Sequence, residues 1–146
     1  MSWAGKLLSQ RNFRSLFRQK EQAPSSSASL TPLLSEEEKA CLEILVNKWI
    51  KGKGYRMPDR TLSDSARRMG ITSLQLYRYC QTQGVDFRSW RSELRIHDAQ
   101  ELLLRCPEVP ASTISRQVGF SDRSNFSRQF KALTGQTPDE WRKNQK

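Results

Sequence analysis

Residues 119–142 read GFSDRSNFSRQFKALTGQTPDEWR, and residues 70–91 read GITSLQLYRYCQTQGVDFRSWR. The two stretches share a leading glycine, an arginine in the middle and a closing Trp-Arg pair. Matching residues lie 49 positions apart at the glycine, 50 at the arginine and 51 at the tryptophan. A spacing that drifts so little over the whole stretch is typical of a structural repeat. The chain is therefore predicted to contain two copies of one folding unit.

Each copy has the pattern of a helix-turn-helix, in which two helices cross steeply at a short turn that often contains glycine. Gly70 and Gly119 occupy the turn, where the backbone angle is costly for other residues. Ala66 and Ser115 lie four residues before these glycines and are small enough to let the second helix approach. Ser115 then needs a hydrogen-bond partner for its hydroxyl.

The chain is strongly basic, with a formal net charge of +10 over 146 residues. Residues 1–34 hold five basic residues and one acidic residue, whereas residues 35–146 hold twenty basic and fourteen acidic residues. The positive excess is thus spread over the chain and is not confined to one tail. A polyanionic partner is indicated, either nucleic acid or an anionic membrane surface.

The chain has three cysteines, Cys41, Cys80 and Cys106, and a single histidine, His97. A zinc site needs about four clustered ligands, so no metal site is expected, and no cofactor either. Widely spaced cysteines in odd number also argue against a disulfide framework, and each is expected to be a small buried hydrophobe. No acidic triad and no small-molecule site is evident, so the chain is not expected to be an enzyme.

Residues 1–34 form a basic lead-in followed by a flexible Ser/Pro linker, and they are expected to be disordered. A basic amphipathic helix over residues 1–20 is the alternative. No stretch of the sequence approaches the ~20 apolar residues of a membrane span, and residues 1–20 lack the uninterrupted apolar centre of a secretory signal. The protein is expected to be soluble and cytoplasmic.

The predicted folded domain covers residues 35–146 and is all-α, with about seven helices and no confident strand. Ser35 and Glu38 form a capping box that starts the first helix. The apolar face of that helix is predicted to contain Cys41, Leu42, Leu45, Val46, Trp49 and Ile50. The first helix-turn-helix covers about residues 61–84, and the second about residues 112–134. A long linking helix over about residues 86–105 joins them, and a last short helix starts near Pro138, a favoured first helical position.

In each unit the second helix is predicted to be anchored in the core by one large apolar residue, Leu76 or Phe126. The opposite face of that helix is then free to enter the major groove, where base edges are distinguishable. Candidate base contacts are Ser73, Leu74, Tyr77 and Arg78 in the first unit, and Arg123, Ser124, Asn125, Ser127 and Arg128 in the second. Candidate phosphate contacts are Arg67, Arg116 and Lys131.

The second unit closely resembles the signature of AraC/XylS-family transcription regulators, and the similarity covers about residues 60–143. The matching text is Gly119-Phe120-x-Asp122-x-Ser124-x-Phe126-x-Arg128-x-Phe130-Lys131-x-x-x-Gly135-x-Thr137-Pro138-x-x-Trp141-Arg142, together with Arg95-Ile96-x-x-Ala99-x-x-Leu102-Leu103 on the linking helix. The resemblance implies two helix-turn-helix subdomains on one rigid helix and insertion of both recognition helices into successive major grooves. It also implies activation of transcription through RNA polymerase. The base-reading positions that it implies are Leu74, Tyr77, Arg78, Arg123, Ser124 and Arg128.

The chain departs from the family pattern at three points. Cys80 stands where a large apolar residue is usual, which would leave the first unit less firmly packed, and Ser115 replaces an alanine. The sensor domain that many members carry is missing, because about 34 residues before the first helix are too few for one. The chain is then either a short stand-alone regulator or the DNA-binding end of a longer protein, such as a membrane-anchored sensor.

The sequence thus predicts a sequence-specific DNA-binding transcription regulator, an activator that binds promoter or operator DNA at two unequal half-sites. Three alternatives stay open: a DNA-targeting module of an enzyme, the cytoplasmic end of a membrane-anchored sensor regulator, and a non-specific DNA-binding protein. An enzyme would need a reactive cysteine in an electropositive, partly exposed site, or a cluster of carboxylates.

Overall fold

A computed structural model of the chain describes residues 34–58 and 61–145. These residues form seven α-helices and one short 3₁₀ turn, with no strand among them. The elements are α1 (Glu36–Lys51), the 3₁₀ turn η1 (Gly54–Arg56), α2 (Leu62–Met69), α3 (Ser73–Thr82), α4 (Phe87–Arg105), α5 (Ala111–Gln117), α6 (Arg123–Thr134) and α7 (Pro138–Asn144). The predicted all-α fold is confirmed.

Two hydrophobic cores divide the helices into two similar units. The first core gathers buried side chains from α1, η1, α2, α3 and the start of α4, and the second gathers them from the rest of α4 and from α5, α6 and the segments beside them. Along α4, Leu94 is the last residue of the first core and Ile96 is the first of the second. The linking helix α4 therefore packs against the other helices of both units. Helix α1 packs only in the first unit.

Side-chain caps fix where the helices begin. The predicted capping box of Ser35 with Glu38 is present, and the Thr72 hydroxyl accepts the backbone N–H of Gln75 at the start of α3. Helix α6 begins at Arg123, and the side chain of the preceding aspartate is its N-cap. These caps satisfy backbone N–H groups that have no partner within their helix.

The predicted apolar face of α1 is wrong at Cys41, which is exposed. The buried residues of α1 are Leu42, Val46, Trp49 and Ile50. These residues recur at helical spacing along one narrow stripe, and Cys41 and the half-buried Leu45 lie beside it. Cys106 is also only half-buried, whereas Cys80 is buried as predicted. The predictions for the lead-in and linker, residues 1–33, lie outside the described residues.

Phe130 is fully buried in the second core, between the rings of Phe126 and Trp141, with centroid separations of 5.7 and 5.9 Å. We expect Phe130→Ala to lower the free energy of unfolding by about 3–5 kcal/mol, since a truncated buried aromatic leaves a cavity. Urea unfolding followed by circular dichroism measures this change. Leu104→Ala, at an exposed residue of α4, is the matched control and should change stability by less than about 0.5 kcal/mol. Equal losses in the two variants would contradict this assignment of the core.

Glu93 on α4 is only 3% exposed, and its Oε2 has no hydrogen-bond partner among the described residues. Burial raises the pKa of its carboxyl group to about 8, because charge is disfavoured away from water. The folded state thus keeps this proton to a higher pH than the unfolded state does. This group therefore makes stability fall as pH rises from roughly 4.5 to 8.

Glu93→Gln removes this titration, so the variant should gain stability relative to the parent as pH rises from 5 to 8.5. At pH 8.5 we expect the variant to be more stable by about 1–3 kcal/mol, because a buried carboxylate without a hydrogen-bond partner costs more than a neutral amide in the same place. Urea unfolding at pH 5, 7 and 8.5 tests this, with Glu43→Gln as an exposed control. A stability difference that is the same at all three pH values would contradict the prediction.

Candidate nucleic-acid interface

Both predicted helix-turn-helix turns are present, and each is closed by the same backbone hydrogen bond. The N–H of Ile71 donates to the carbonyl of Ala66 at 3.0 Å, and the N–H of Phe120 donates to the carbonyl of Ser115 at 2.9 Å. Ala66 and Ser115 are both buried at the crossing, as their small size requires. The hydroxyl of Ser115 donates to the carbonyl of Ser112 at 2.8 Å, which supplies the partner that burial demands.

Helix α3 buries one face and exposes the other. Leu76, Tyr79 and Cys80 are buried in the first core, whereas Leu74 is 50% exposed and Tyr77 is 41% exposed. The other two candidates lie on the same helix. Ser73 is exposed, and its hydroxyl donates a hydrogen bond to the hydroxyl of Ser63. Arg78 is half-buried. Leu74 and Tyr77 therefore present apolar surface to solvent beside Arg78, on the face of α3 opposite the first core.

Helix α6 has the same division between a buried and an exposed face. Phe126 and Phe130 are buried, and Arg123, Ser124 and Arg128 are exposed. Ser124 and Arg128 are four residues apart and so share a face of the helix, as Leu74 and Arg78 do on α3. The remaining candidates, Asn125 and Ser127, are half-buried, and the Asn125 Oδ1 accepts a hydrogen bond from Gln129 at 2.9 Å.

The candidates for phosphate contact are exposed in both units. Arg67 and Arg116 occupy equivalent positions near the ends of α2 and α5, and Lys131 lies on α6 one turn beyond the candidate base contacts. All three side chains are exposed. Cationic side chains that flank a recognition helix are suited to bind the backbone on either side of a groove.

Gln81 was not among the predicted contacts, although it lies on the exposed face of α3. Its Nε2 donates to the Tyr77 hydroxyl at 2.9 Å, so the two side chains are held together on the helix surface. Gln81 is the equivalent of Lys131 at the repeat spacing of 50 residues. Two sequence signals could therefore have identified it: the repeat, and its position four residues after Tyr77.

The described residues also bear on three other kinds of site: a metal site, a membrane span and a reactive cysteine. In residues 34–58 and 61–145, no group of three or more His, Cys, Asp or Glu side chains is arranged to hold a metal ion. None of the described helices is both long enough and apolar enough to cross a membrane. Burial, with a smaller effect from Asp86, raises the pKa of the Cys80 thiol to about 12. This cysteine is therefore a packing residue and not an activated nucleophile.

A protein-family model described as a helix-turn-helix domain matches residues 65–144, more than half of the chain. The chain is 45% identical over 62 residues to the Arabinose operon regulatory protein of Salmonella typhimurium, which covers 42% of this chain and 22% of that protein. It is 32% identical over 85 residues to the Transcriptional activator NphR of Rhodococcus, covering 58% of this chain and 25% of that protein. The matched part of the chain spans 21–30% of the length of the curated relatives that it matches. These relatives are transcription regulators, which supports DNA-binding regulation.

Solved structures give the same result for the fold. The C-terminal domain of AraT, a response regulator from Geobacillus stearothermophilus, has a TM-score of 0.58 at 25% identity and covers 78% of this chain and 88% of that one. The C-terminal domain of the two-component response regulator yesN from Fusobacterium nucleatum has a TM-score of 0.59 at 28% identity, covering 70% and 98%. The arrangement of helices is therefore shared with known regulator domains.

The cysteines provide a test of the surface around the first unit. In the native protein at pH 8, we expect a thiol reagent to modify the exposed Cys41 rapidly and Cys80 only after denaturation, because a buried thiol with a raised pKa holds little thiolate. Mass spectrometry of peptides after timed labelling measures both rates. The double variant Cys41→Ser, Cys106→Ser is the control: it removes the exposed and the half-buried thiol, so only the slow modification of Cys80 should be left. Rapid modification of Cys80 in the folded protein would instead support the alternative of an enzyme with a reactive cysteine.

Proposed function

The chain belongs to the AraC-type helix-turn-helix family, and from this we propose that it is a sequence-specific DNA-binding transcription regulator. In this proposal α3 and α6 enter successive major grooves on one face of a promoter or operator. The supporting observation is that the two helices bury equivalent anchors, Leu76 and Phe126, and expose the equivalent residues Leu74 and Ser124, as two recognition helices on one support would. An exposed helix face of this kind fits the width of the major groove of B-DNA.

The two recognition helices carry different chemistry, so the proposed site is asymmetric. On α6, Arg128 is suited to donate two hydrogen bonds to a guanine, and Ser124 can bond to several base edges. On α3, Leu74 offers only apolar contact, for instance to a thymine methyl group, beside Tyr77 and Arg78. A duplex with two identical half-sites would match only one of the helices.

Phosphate contacts would supply much of the affinity in this proposal. Arg67, Arg116 and Lys131 carry positive charge on the surfaces beside α3 and α6. Each phosphate that a protein neutralises releases counterions, so binding weakens as the salt concentration rises. The net charge of +10 is consistent with this electrostatic contribution to DNA binding.

We further propose that the protein activates transcription through contact with RNA polymerase, in the cytoplasmic compartment where promoter DNA lies. The Rhodococcus relative is named as a transcriptional activator, and the two similar solved domains come from response regulators. A sensor or receiver domain in the same polypeptide is part of this proposal. A promoter–reporter strain with and without the gene distinguishes an activator from a repressor.

Selection of bound sequences from a random pool of DNA duplexes tests specific binding. We expect one asymmetric site, a protected footprint of about two helical turns, and at least ~10³-fold discrimination over random DNA. The experiment is performed in salt near 150 mM, because low salt inflates non-specific binding. Equal affinity for all sequences would leave a non-specific DNA-binding protein instead.

Two substitutions on α6 separate base contact from phosphate contact. We expect Arg128→Ala to cost about 1–3 kcal/mol of binding free energy and to relax the preference at one base pair. Lys131→Ala is the matched control and should weaken all sequences equally, with a salt-dependence slope lower by about one. Titration of selected and singly mutated duplexes at several salt concentrations gives both quantities. If Arg128→Ala behaves as Lys131→Ala does, Arg128 binds phosphate.

A further inference from the structure

The two units meet at a small cluster of two buried charged residues, Arg95 and Asp98, and two half-buried residues, Arg56 and Gly119. We call these four residues the Arg95 clasp. Arg95 lies on α4 between the last residue of the first core and the first residue of the second. Its Nε donates to the carbonyl of Tyr55 at 2.6 Å, and its Nη2 donates to the carbonyl of Met57 at 2.8 Å. Both carbonyls belong to the η1 region of the first unit.

The same guanidinium also reaches the second unit. The Arg95 Cζ lies 5.7 Å from the centroid of the Phe120 ring, within the range of a cation–π contact. Phe120 follows the turn of the second helix-turn-helix and is buried in the second core. One side chain of α4 is therefore in contact with both units at once.

Asp98 makes a second attachment between α4 and η1. It is only 2% exposed, and its carboxylate accepts hydrogen bonds from Arg56, one of them from Nη2 at 2.8 Å. Lys53 lies 3.3 Å away at its Nζ. Burial alone would raise the pKa of Asp98, but Arg56 and Lys53 outweigh it and hold that pKa below its usual value. The carboxylate is thus charged at neutral pH and pulls η1 onto the C-terminal half of α4.

Gly119 brings the second unit into contact with η1 and Arg95. A Cβ atom at this position would lie 2.7 Å from the carbonyl oxygen of Arg56 and 2.8 Å from the Nε of Arg95. Gly70 occupies the equivalent turn of the first unit, and a Cβ there would meet nothing within 4 Å. Both glycines have a positive φ, so the turn itself accounts for Gly70. Gly119 additionally allows the second turn to lie directly against the backbone of the first unit.

We propose that the Arg95 clasp fixes the distance and the rotation between α3 and α6, and thereby selects the spacing between the two half-sites in DNA. This inference rests on the proposed function. One additional base pair moves the second half-site by roughly 3.4 Å and about 35° around the duplex axis. Helix α4 alone joins the units along a single line, about which they could bend or twist. The clasp adds a second attachment to one side of that line and removes this freedom.

The energetics of the cluster agree with a positioning role. Buried ion pairs often add little to stability compared with apolar residues of the same size, and their best-supported use is to specify one arrangement among several. No residue of the Arg95 clasp lies on α3 or α6, the two proposed recognition helices. Its residues would therefore influence specificity without contacting a base.

The test uses duplexes that carry the selected half-sites with the spacing changed by −2 to +2 base pairs. For the wild-type protein we expect a change of one base pair to weaken binding at least ~10-fold, comparable with the loss of one good base contact. For Gly119→Ala and Arg95→Met we expect this penalty to fall below ~3-fold, with the base preferences within each half-site unchanged. Gly70→Ala is the matched control, because it introduces the same side chain into the equivalent turn without a collision, and it should keep the wild-type penalty.

A second measurement needs no DNA. Spin labels on Cys41 and on an introduced Lys131→Cys, with Cys106→Ser to remove a second reactive thiol, report the distance between the units by pulsed electron paramagnetic resonance. We expect one narrow distribution in the parent and a broad one when Arg95→Met is added. If Arg95→Met proves to be unfolded by circular dichroism, the isosteric Asp98→Asn takes its place.

The outcomes separate the two proposals. If the parent discriminates no sequence, the proposed function fails, while the spin-label distances still decide whether the clasp positions the units. If binding is specific but the clasp variants keep both the wild-type spacing penalty and a narrow distance distribution, the clasp proposal is wrong. A uniform loss of affinity at every spacing would likewise assign the cluster to stability alone.

Discussion

Helix α4 contributes side chains to both hydrophobic cores, Trp90 and Leu94 to the first and Ala99 and Leu103 to the second. Neither helix-turn-helix has enough apolar surface to form a stable domain from two short helices, because small domains bury a small fraction of their surface. Each unit therefore requires α4 as a wall. Sharing one helix also couples the two units mechanically, since any rotation of α4 moves them both.

The two units keep the same backbone frame but differ in their side chains, inside and outside. Cys80 in the first core stands at the repeat position of Phe130 in the second. The first core holds a group of aromatic rings, Trp49, Phe87 and Trp90, with centroids 5.8–6.3 Å apart. The first core therefore has no aromatic ring at the repeat position of Phe130, and its rings come mainly from α1 and α4. The backbone hydrogen bonds that close the two turns are nevertheless the same in both units.

The features that the sequence predicted are those with local causes. Helix starts depend on caps within three residues, as at Ser35 and Thr72, and the buried anchors follow helical periodicity. Cys41 was misplaced because the edge of an apolar stripe is decided by which neighbours pack on it. The Arg95 clasp escaped prediction because it joins α4 to a 3₁₀ turn about 40 residues away.

Within the candidate interface, the exposure of Leu74 and Arg128 follows from the repeat, whereas the contact of Gln81 with Tyr77 required the structure. The DNA contacts themselves stay predictions.

The exposed faces of α3 and α6 lie outside both cores: Leu74 and Tyr77 are 50% and 41% exposed and belong to neither core, and Ser124 and Arg128 are exposed. Substitutions there leave folding stability nearly unchanged, whereas most substitutions in a protein reduce it. Natural selection and protein engineers alike can therefore vary these positions without first acquiring compensating mutations elsewhere. The helix framework can therefore stay the same between related genes while its solvent-facing helix surfaces diverge rapidly.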